Sequence, residues 1–135
     1  MGNKENIMRK IKTALISVSD KSKLNPVLQI LKKNKVKLIS SGGTFKLIRK
    51  LKYQCLEVSN FTGFNEILNG RVKTLHPKIY AGILSQRNNK SHLIDLKKND
   101  FENIDLVIVN FYPFEKTIEQ TKIHSKIIEN IDVGG

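Results

Sequence analysis

"KTALISVSD", residues 12–20, is a compact apolar run that opens into small polar residues. Four or five apolar positions without a polar alternation describe a strand buried on both faces, as in a parallel sheet. Its carboxyl end, Ser17 to Asp20, then runs into a loop. The chain beyond the loop keeps a regular rhythm. Leu24, Val27/Leu28 and Leu31 recur at helical spacing with lysines between them, and Pro26 sits early, where a first turn tolerates it. "VKLIS" (36–40) predicts a second strand and "SGGT" (41–44) a turn. "TFKLIRKLK" (44–52) predicts a second amphipathic helix with Phe45, Leu47/Ile48 and Leu51 inward, and "QCLEV" (54–58) a third strand. The order β-α-β-α-β predicts an α/β fold with a doubly wound, mostly parallel sheet and right-handed crossovers.

Further along, Ser59 to Arg87 carries Gly63, Gly70, Pro77 and Gly82 and no clean period, so it reads as a long working loop. A helix is predicted around Ser91 to Lys98 with Leu93, Ile94 and Leu96 as its apolar residues. "IDLVIVNFYPF" (104–114) is the strongest strand signal and is placed centrally in the sheet. Two more helical stretches are predicted near Phe114 to Gln120 and Lys126 to Asn130. Residues 1–11 form a polar lead-in to a single domain over 12–135.

Composition narrows the function classes. The chain of 135 residues has a net charge of +12, and 20 of its 24 basic residues are lysines scattered along it. Nucleic-acid readers concentrate arginine and aromatic platforms. Here there is no tryptophan, so the charge reads as a lysine-rich solvated surface. No apolar run approaches the ~20 residues that span a bilayer, and the first twelve residues lack a secretory signal's apolar core. A single cysteine, Cys55, excludes an internal disulfide framework, suits the cytoplasm, and reads as a small core hydrophobe. Three histidines and one cysteine have no metal-ligand spacing.

In a parallel sheet the chemistry belongs at the strands' carboxyl ends. There the sequence places Ser17, Ser19, Asp20 and Lys21 after the first strand, Ser40 to Thr44 after the second, and Asn110 and Tyr112 after the strong one. "SSGGT" opening onto a helix can present N–H groups to a phosphate, and it is equally a tight turn with an N-cap. Neither GxGxxG nor a Walker sequence is present. "NGRVKTLHPKIYAGIL" (69–84) adds Arg71 and Lys73 as cations and Thr74 as a hydroxyl. His76, before Pro77, reads as a structural hydrogen-bonding group, with a general base as the alternative. Tyr112 is open between core and function, and Asp132 looks like a helix N-cap.

Together, "ISVSDKS", "SSGGT", "VSNFTGFNEILNGRVKTLHPKIYAGIL", "VNFYPF" and "ENIDVGG" closely resemble the N-terminal IMP cyclohydrolase domain of the bifunctional purine-biosynthesis enzymes that also carry AICAR transformylase. The resemblance is collinear from about Lys12 to Gly135. It implies a methylglyoxal-synthase-like fold and closure of 5-formamido-imidazole carboxamide ribonucleotide (FAICAR) to inosine monophosphate (IMP) with loss of water, without metal or cofactor. It implies Lys73, Tyr112 and Asp132 as catalytic residues. It implies nucleotide contacts from Ser19, Asp20, Lys21, Ser41, Gly42, Gly43, Thr44, Arg71, Val72, Lys73, Thr74, Val109, Asn110, Asp132 and Val133. The resembled domain continues beyond "IDVGG" into a helix with a further catalytic lysine and a last strand, so an incomplete domain is expected. The partner expected is a small purine nucleotide, with neither nucleic acid nor membrane, and the parent enzyme is expected to be a homodimer. Methylglyoxal synthase and a regulatory metabolite-binding domain share the fold and stand as alternatives.

Overall fold

The computed structural model describes residues 10–70 and 72–110. Its elements are β1 (Thr13–Ser17), α1 (Leu24–Lys33), β2 (Lys37–Ser40), α2 (Gly42–Lys50), β3 (Leu56–Glu57), α3 (Val58–Thr62), α4 (Pro77–Leu84), α5 (Lys90–Lys98) and β4 (Leu106–Val109). All strand pairings are parallel, in the order β3-β2-β1-β4. The chain steps outward from β1 through β2 to β3, then returns to β1's other side. The switch point therefore lies between β1 and β4.

Alternate residues of β1 enter two cores. Ala14, Ile16 and Val18 pack with Leu24, Leu28 and Leu31 of α1 and Ile48 of α2. Leu15 joins Ile39, Val58, Phe61, Ile79 and Ile104 on the opposite face. Burial on both faces is why β1 lacks alternation, as its sequence predicts. Each fully buried isoleucine contributes about 1.5–3 kcal/mol relative to exposure. The helical spacing of Leu24, Leu28 and Leu31 gives α1 one buried stripe.

Three expectations need correction. The apolar run Leu106 to Val109 is the edge strand of the described sheet rather than a central one, and Val107 and Val109 are 40% and 41% exposed. The chain's return to the far side of β1 gives β4 one strand partner among the described residues. Residues 59–87 are not one irregular loop, since they contain most of α3 and all of α4. Pro77 opens α4 at its first position and His76 caps it, Nδ1 accepting from the Lys78 N–H at 3.0 Å. In α5 only Leu96 is buried; Ile94 is 63% exposed. "SGGT" forms the helix start itself, with Ser41 as N-cap. The helices predicted near 114–120 and 126–130 lie outside the described residues.

Cys55 is half-buried beside the first core. Burial, more than the opposing effect of Arg49, pushes its thiol from 9.0 up to about 11. The native state thus holds this proton more tightly than the unfolded chain, so its contribution is present below pH 9 and lost as pH rises toward 11. A urea series from pH 8 to 11 should show stability falling, and falling less in Cys55→Ala.

A polar clamp closes the amino end of the sheet. Asp105 Oδ2 accepts from the Lys12 and Thr13 N–H groups at 2.9 and 3.1 Å. Its Oδ1 meets Arg87 at 3.3 Å, while that guanidinium also donates to the Ile104 and Ser85 carbonyls, both at 2.7 Å. One carboxylate thereby joins the starts of β1 and β4 to the segment after α4. Asp105→Ala leaves two N–H groups and a half-buried cation short of an acceptor, and should cost about 2–3 kcal/mol in urea unfolding.

Candidate functional site

The carboxyl ends of β1 and β2 are held together by one buried hydroxyl. Thr44 Oγ1 accepts from the Val18 N–H at 3.2 Å and donates to the Val18 carbonyl at 3.0 Å. Ser40 Oγ adds a bond to the Ile16 carbonyl at 2.6 Å. These bonds fix where α2 begins relative to the loop leaving β1. Thr44 is 4% exposed with its hydroxyl engaged both ways, so it builds the site's floor.

Ser41 adopts an extended N-cap geometry without a side-chain cap bond, and α2 has no acidic residue in its first turn. The first N–H groups of any helix lack intrahelical acceptors, and they carry the positive end of its dipole. Two lysines are nevertheless brought to this end. A Cβ on Gly42 would lie 3.3 Å from Lys73 Nζ, and one on Gly43 3.8 Å from Lys21 Nζ. Gly42 also has φ +57°, a left-handed conformation that glycine adopts without strain. Lys21 Nζ is steadied by the Val18 carbonyl at 2.9 Å. For Lys73 no hydrogen-bond acceptor or ion-pair partner is found among the described residues. Two ammonium groups at a positive helix end repel one another and the dipole. An anion seated on the N–H groups reverses the sign of both interactions.

Beside this cradle is a cleft of about 260 Å³ lined by Ser41, Lys73, Glu57, Ser59, Phe64 and Glu66, among others. Glu57 ends β3 and accepts from Ser59 Oγ at 3.2 Å. The carboxylates suit hydroxyl or amide donors of a ligand whose anionic end lies on the glycine side. A larger groove of about 800 Å³ lies at the opposite, amino end of β2 and β3, among Lys32, Lys35, Arg49, Lys52 and Tyr53. Its cations stand at the carboxyl ends of α1 and α2, where the dipole favours them without any ligand. The cleft at the strands' carboxyl ends is the better candidate.

Of the residues expected at the site, the structure gathers Ser19, Asp20, Lys21, Ser41, Gly42, Gly43, Thr44, Lys73 and Asn110 at this end of the sheet. Val72 pairs by backbone with Ile67, at 3.0 and 3.2 Å, and so supports the loop that delivers Lys73. The Thr74 carbonyl accepts from the His76 N–H at 2.9 Å, and Val109 closes the ladder opposite Ser17. Arg71, Tyr112, Asp132 and Val133 lie outside the described residues. Glu57, Ser59 and Glu66 were not foreseen. Glu57's place at the end of the third strand was the available signal. Among the described residues no three metal-ligating side chains cluster, and no helix is long and apolar enough to cross a membrane.

A parallel sheet with helices, its polar groups collected at one end over a glycine-started helix, defines an α/β fold. Residues 23–135 match the MGS-like domain, and the chain belongs to that family. It is 52% identical over 123 residues, 90% of its length, to the bifunctional purine biosynthesis protein PurH of Prochlorococcus marinus (strain MIT 9215). It is 46% identical over 126 residues, 93% of its length, to PurH of Bacillus subtilis (strain 168). The chain spans 24% and 25% of those two proteins. A crystal structure of ForH superposes with a TM-score of 0.77 at 29% identity, covering 92% of this chain and 63% of that one.

Gly42→Ala tests the cradle directly. The flexible tip of Lys73 can yield, so the steric cost is small, and the left-handed backbone dominates at about 1–2 kcal/mol. Inorganic phosphate, titrated by calorimetry, should bind about fivefold more weakly to Gly42→Ala than to the unaltered chain.

Proposed function

We propose that this chain is an IMP cyclohydrolase, closing FAICAR to IMP with release of water. The observation that carries the reading is the convergence of Lys21 and Lys73 on the Gly42–Gly43 start of α2. A ribonucleotide monophosphate supplies the dianion that this arrangement lacks. The names of the PurH relatives and the resemblance of "RVKT" and "SGGT" support the same assignment.

In the reaction the carboxamide nitrogen attacks the formyl carbon, the formyl oxygen takes up negative charge, and hydroxide later leaves as water. Orientation of a weak nucleophile and stabilisation of that oxygen are therefore the tasks of the site. In this proposal Lys73 stabilises the oxyanion, Asp132 holds the carboxamide, and Tyr112 takes part in hydrogen bonding or proton transfer. Lys21, Arg71, Gly42, Gly43 and Thr74 serve the nucleotide. No cofactor enters the scheme. The protein would act in the cytoplasm, as part of a homodimeric parent enzyme.

The experiment is the absorbance change on FAICAR ring closure, with calorimetry of IMP and inosine alongside. IMP should bind at least tenfold more tightly than inosine. Lys73→Ala should lower kcat by about 10²–10³ and, because the same ammonium stands at the cradle, should also weaken IMP binding. Equal affinity for nucleoside and nucleotide, or an unchanged kcat, would remove the proposal.

A further inference from the structure

α1 and α2 both run back from the carboxyl rim of the sheet and end at its amino rim, beside the groove of about 800 Å³. The two ends are built alike. After α1 the Lys35 N–H donates to the Lys32 carbonyl and the Val36 N–H to the Leu31 carbonyl, both at 3.0 Å. After α2 the Lys52 N–H donates to the Arg49 carbonyl at 3.0 Å and the Tyr53 N–H to the Ile48 carbonyl at 3.2 Å. This paired closure needs left-handed backbone at one residue, a place that glycine usually takes. Here Lys35 has φ 58° and Lys52 has φ 73°. α5 closes in the same way at Asp100, φ 56°, but aspartate enters that region more readily than lysine.

We propose that this groove is a second anion site, at the opposite rim from the Gly42–Gly43 cradle, and that it takes an oligophosphate chain. Lys32 and Arg49 stand in the last turns of their helices, where the dipoles account for them. The dipoles do not call for strained lysines one residue beyond each cap, and both of these line the same groove. None of the four cations has an ion-pair partner among the described residues, and no described carboxylate lines the groove; Lys37, which also lines it, is paired with Glu102 at 2.7 Å. The Tyr53 ring lies under the Lys32 ammonium at 5.7 Å and its hydroxyl donates to Asn25 Oδ1 at 2.9 Å, so the recognising groups are the charges. A single phosphate carries about −2, and four cations spread over two helix ends are matched by a chain of two or more. Arg49 offers a planar fork to a pair of oxygens and the lysines offer point charges. Free tripolyphosphate and the tail of a nucleoside triphosphate share this chemistry.

Calorimetry with tripolyphosphate, and with ATP in a parallel series, tests the site. The pair Lys35→Gly and Lys52→Gly should weaken tripolyphosphate binding about tenfold, while the urea midpoint rises because glycine relieves the left-handed strain. Lys97→Ala with Lys98→Ala removes the same charge at the end of α5, outside the groove, and should bind within about twofold of the unaltered chain. Equal weakening in the two pairs would reduce the effect to diffuse surface charge and overturn the proposal. Binding lost in Lys21→Ala with Lys73→Ala instead would place the probe at the cradle and also overturn it. Cys55, half-buried in the groove wall, reports the place: tripolyphosphate should slow its alkylation by iodoacetamide, and an unchanged rate would count against the groove. Tripolyphosphate binding as tightly as ATP supports a free phosphate chain as the ligand, and ATP binding more tightly supports a nucleotide's tail. Failure of the unaltered chain to bind either probe would end the proposal and leave the reading of the cradle untouched.

Discussion

A parallel strand can pair with its neighbour only after the chain has travelled back along the sheet, so successive strands release their loops at the same end. β1 meets this constraint twice, pairing with β2 on one side and β4 on the other. Everything at the site depends on it. The loops after β1, β2 and β3 and the residue after β4 share one rim. Val18–Thr44 and Ser19–Asn110 bonds lace that rim together across β1. The opposite rim is closed by the Asp105 carboxylate, which spans the starts of β1 and β4. Polar bonds at the two ends and apolar packing along the middle leave β1 little freedom to slide.

The charge distribution makes sense against the helix dipoles. α1, α2 and α5 each end in two basic residues, and none has an acid in its first turn. Six cations of a strongly basic chain are thereby placed where a dipole favours them. Lys21 and Lys73 depart from that rule, standing against the positive end of α2 beside the glycines. A lysine-rich surface explains the first group without function. The second group stands where α2 has no acid in its first turn and no side-chain cap bond at Ser41, and in the proposed function a nucleotide's dianion supplies the opposite charge.

How far the sequence revealed this depended on range. β1, α1, β2 and α2 are local, and their apolar spacing or continuity was sufficient. The helix expected around Leu93, Ile94 and Leu96 forms, and only Leu96 of the three is buried, because an apolar residue on a short helix faces the core only if a neighbour covers that side. The apolarity of Leu106 to Val109 suggested a central strand, yet strand order is set by where the crossover lands. The resemblance implies Thr44 as a nucleotide contact, and the two bonds of its hydroxyl to Val18 were invisible without the tertiary fold. Glycines 42 and 43 were legible as a helix entry; that two distant lysines converge on them was not.

Lys73 also reveals what the segment between α3 and α4 is for. From Gly63 the chain leaves the sheet, and Phe64, Ile67, Leu68 and Leu75 are all more than a third exposed. Leu68 and Asn69 hold φ of 55° and 56°, and Gly70 holds 82°. Left-handed backbone costs a leucine about 1–2 kcal/mol. Exposed apolar side chains and a strained turn are poor contributors to stability, so this excursion has to be explained by what it carries. The Ile67–Val72 pairing closes it and sends the chain back, and Lys73, the next residue, arrives over Gly42. A direct link from α3 to α4 would leave fewer apolar side chains in water and avoid the strain, but it would leave the start of α2 with Lys21 alone. The second ammonium is a feature of the segment that the core does not need and that the dianion of the proposed function would use, together with Arg71 and Thr74 of the same segment.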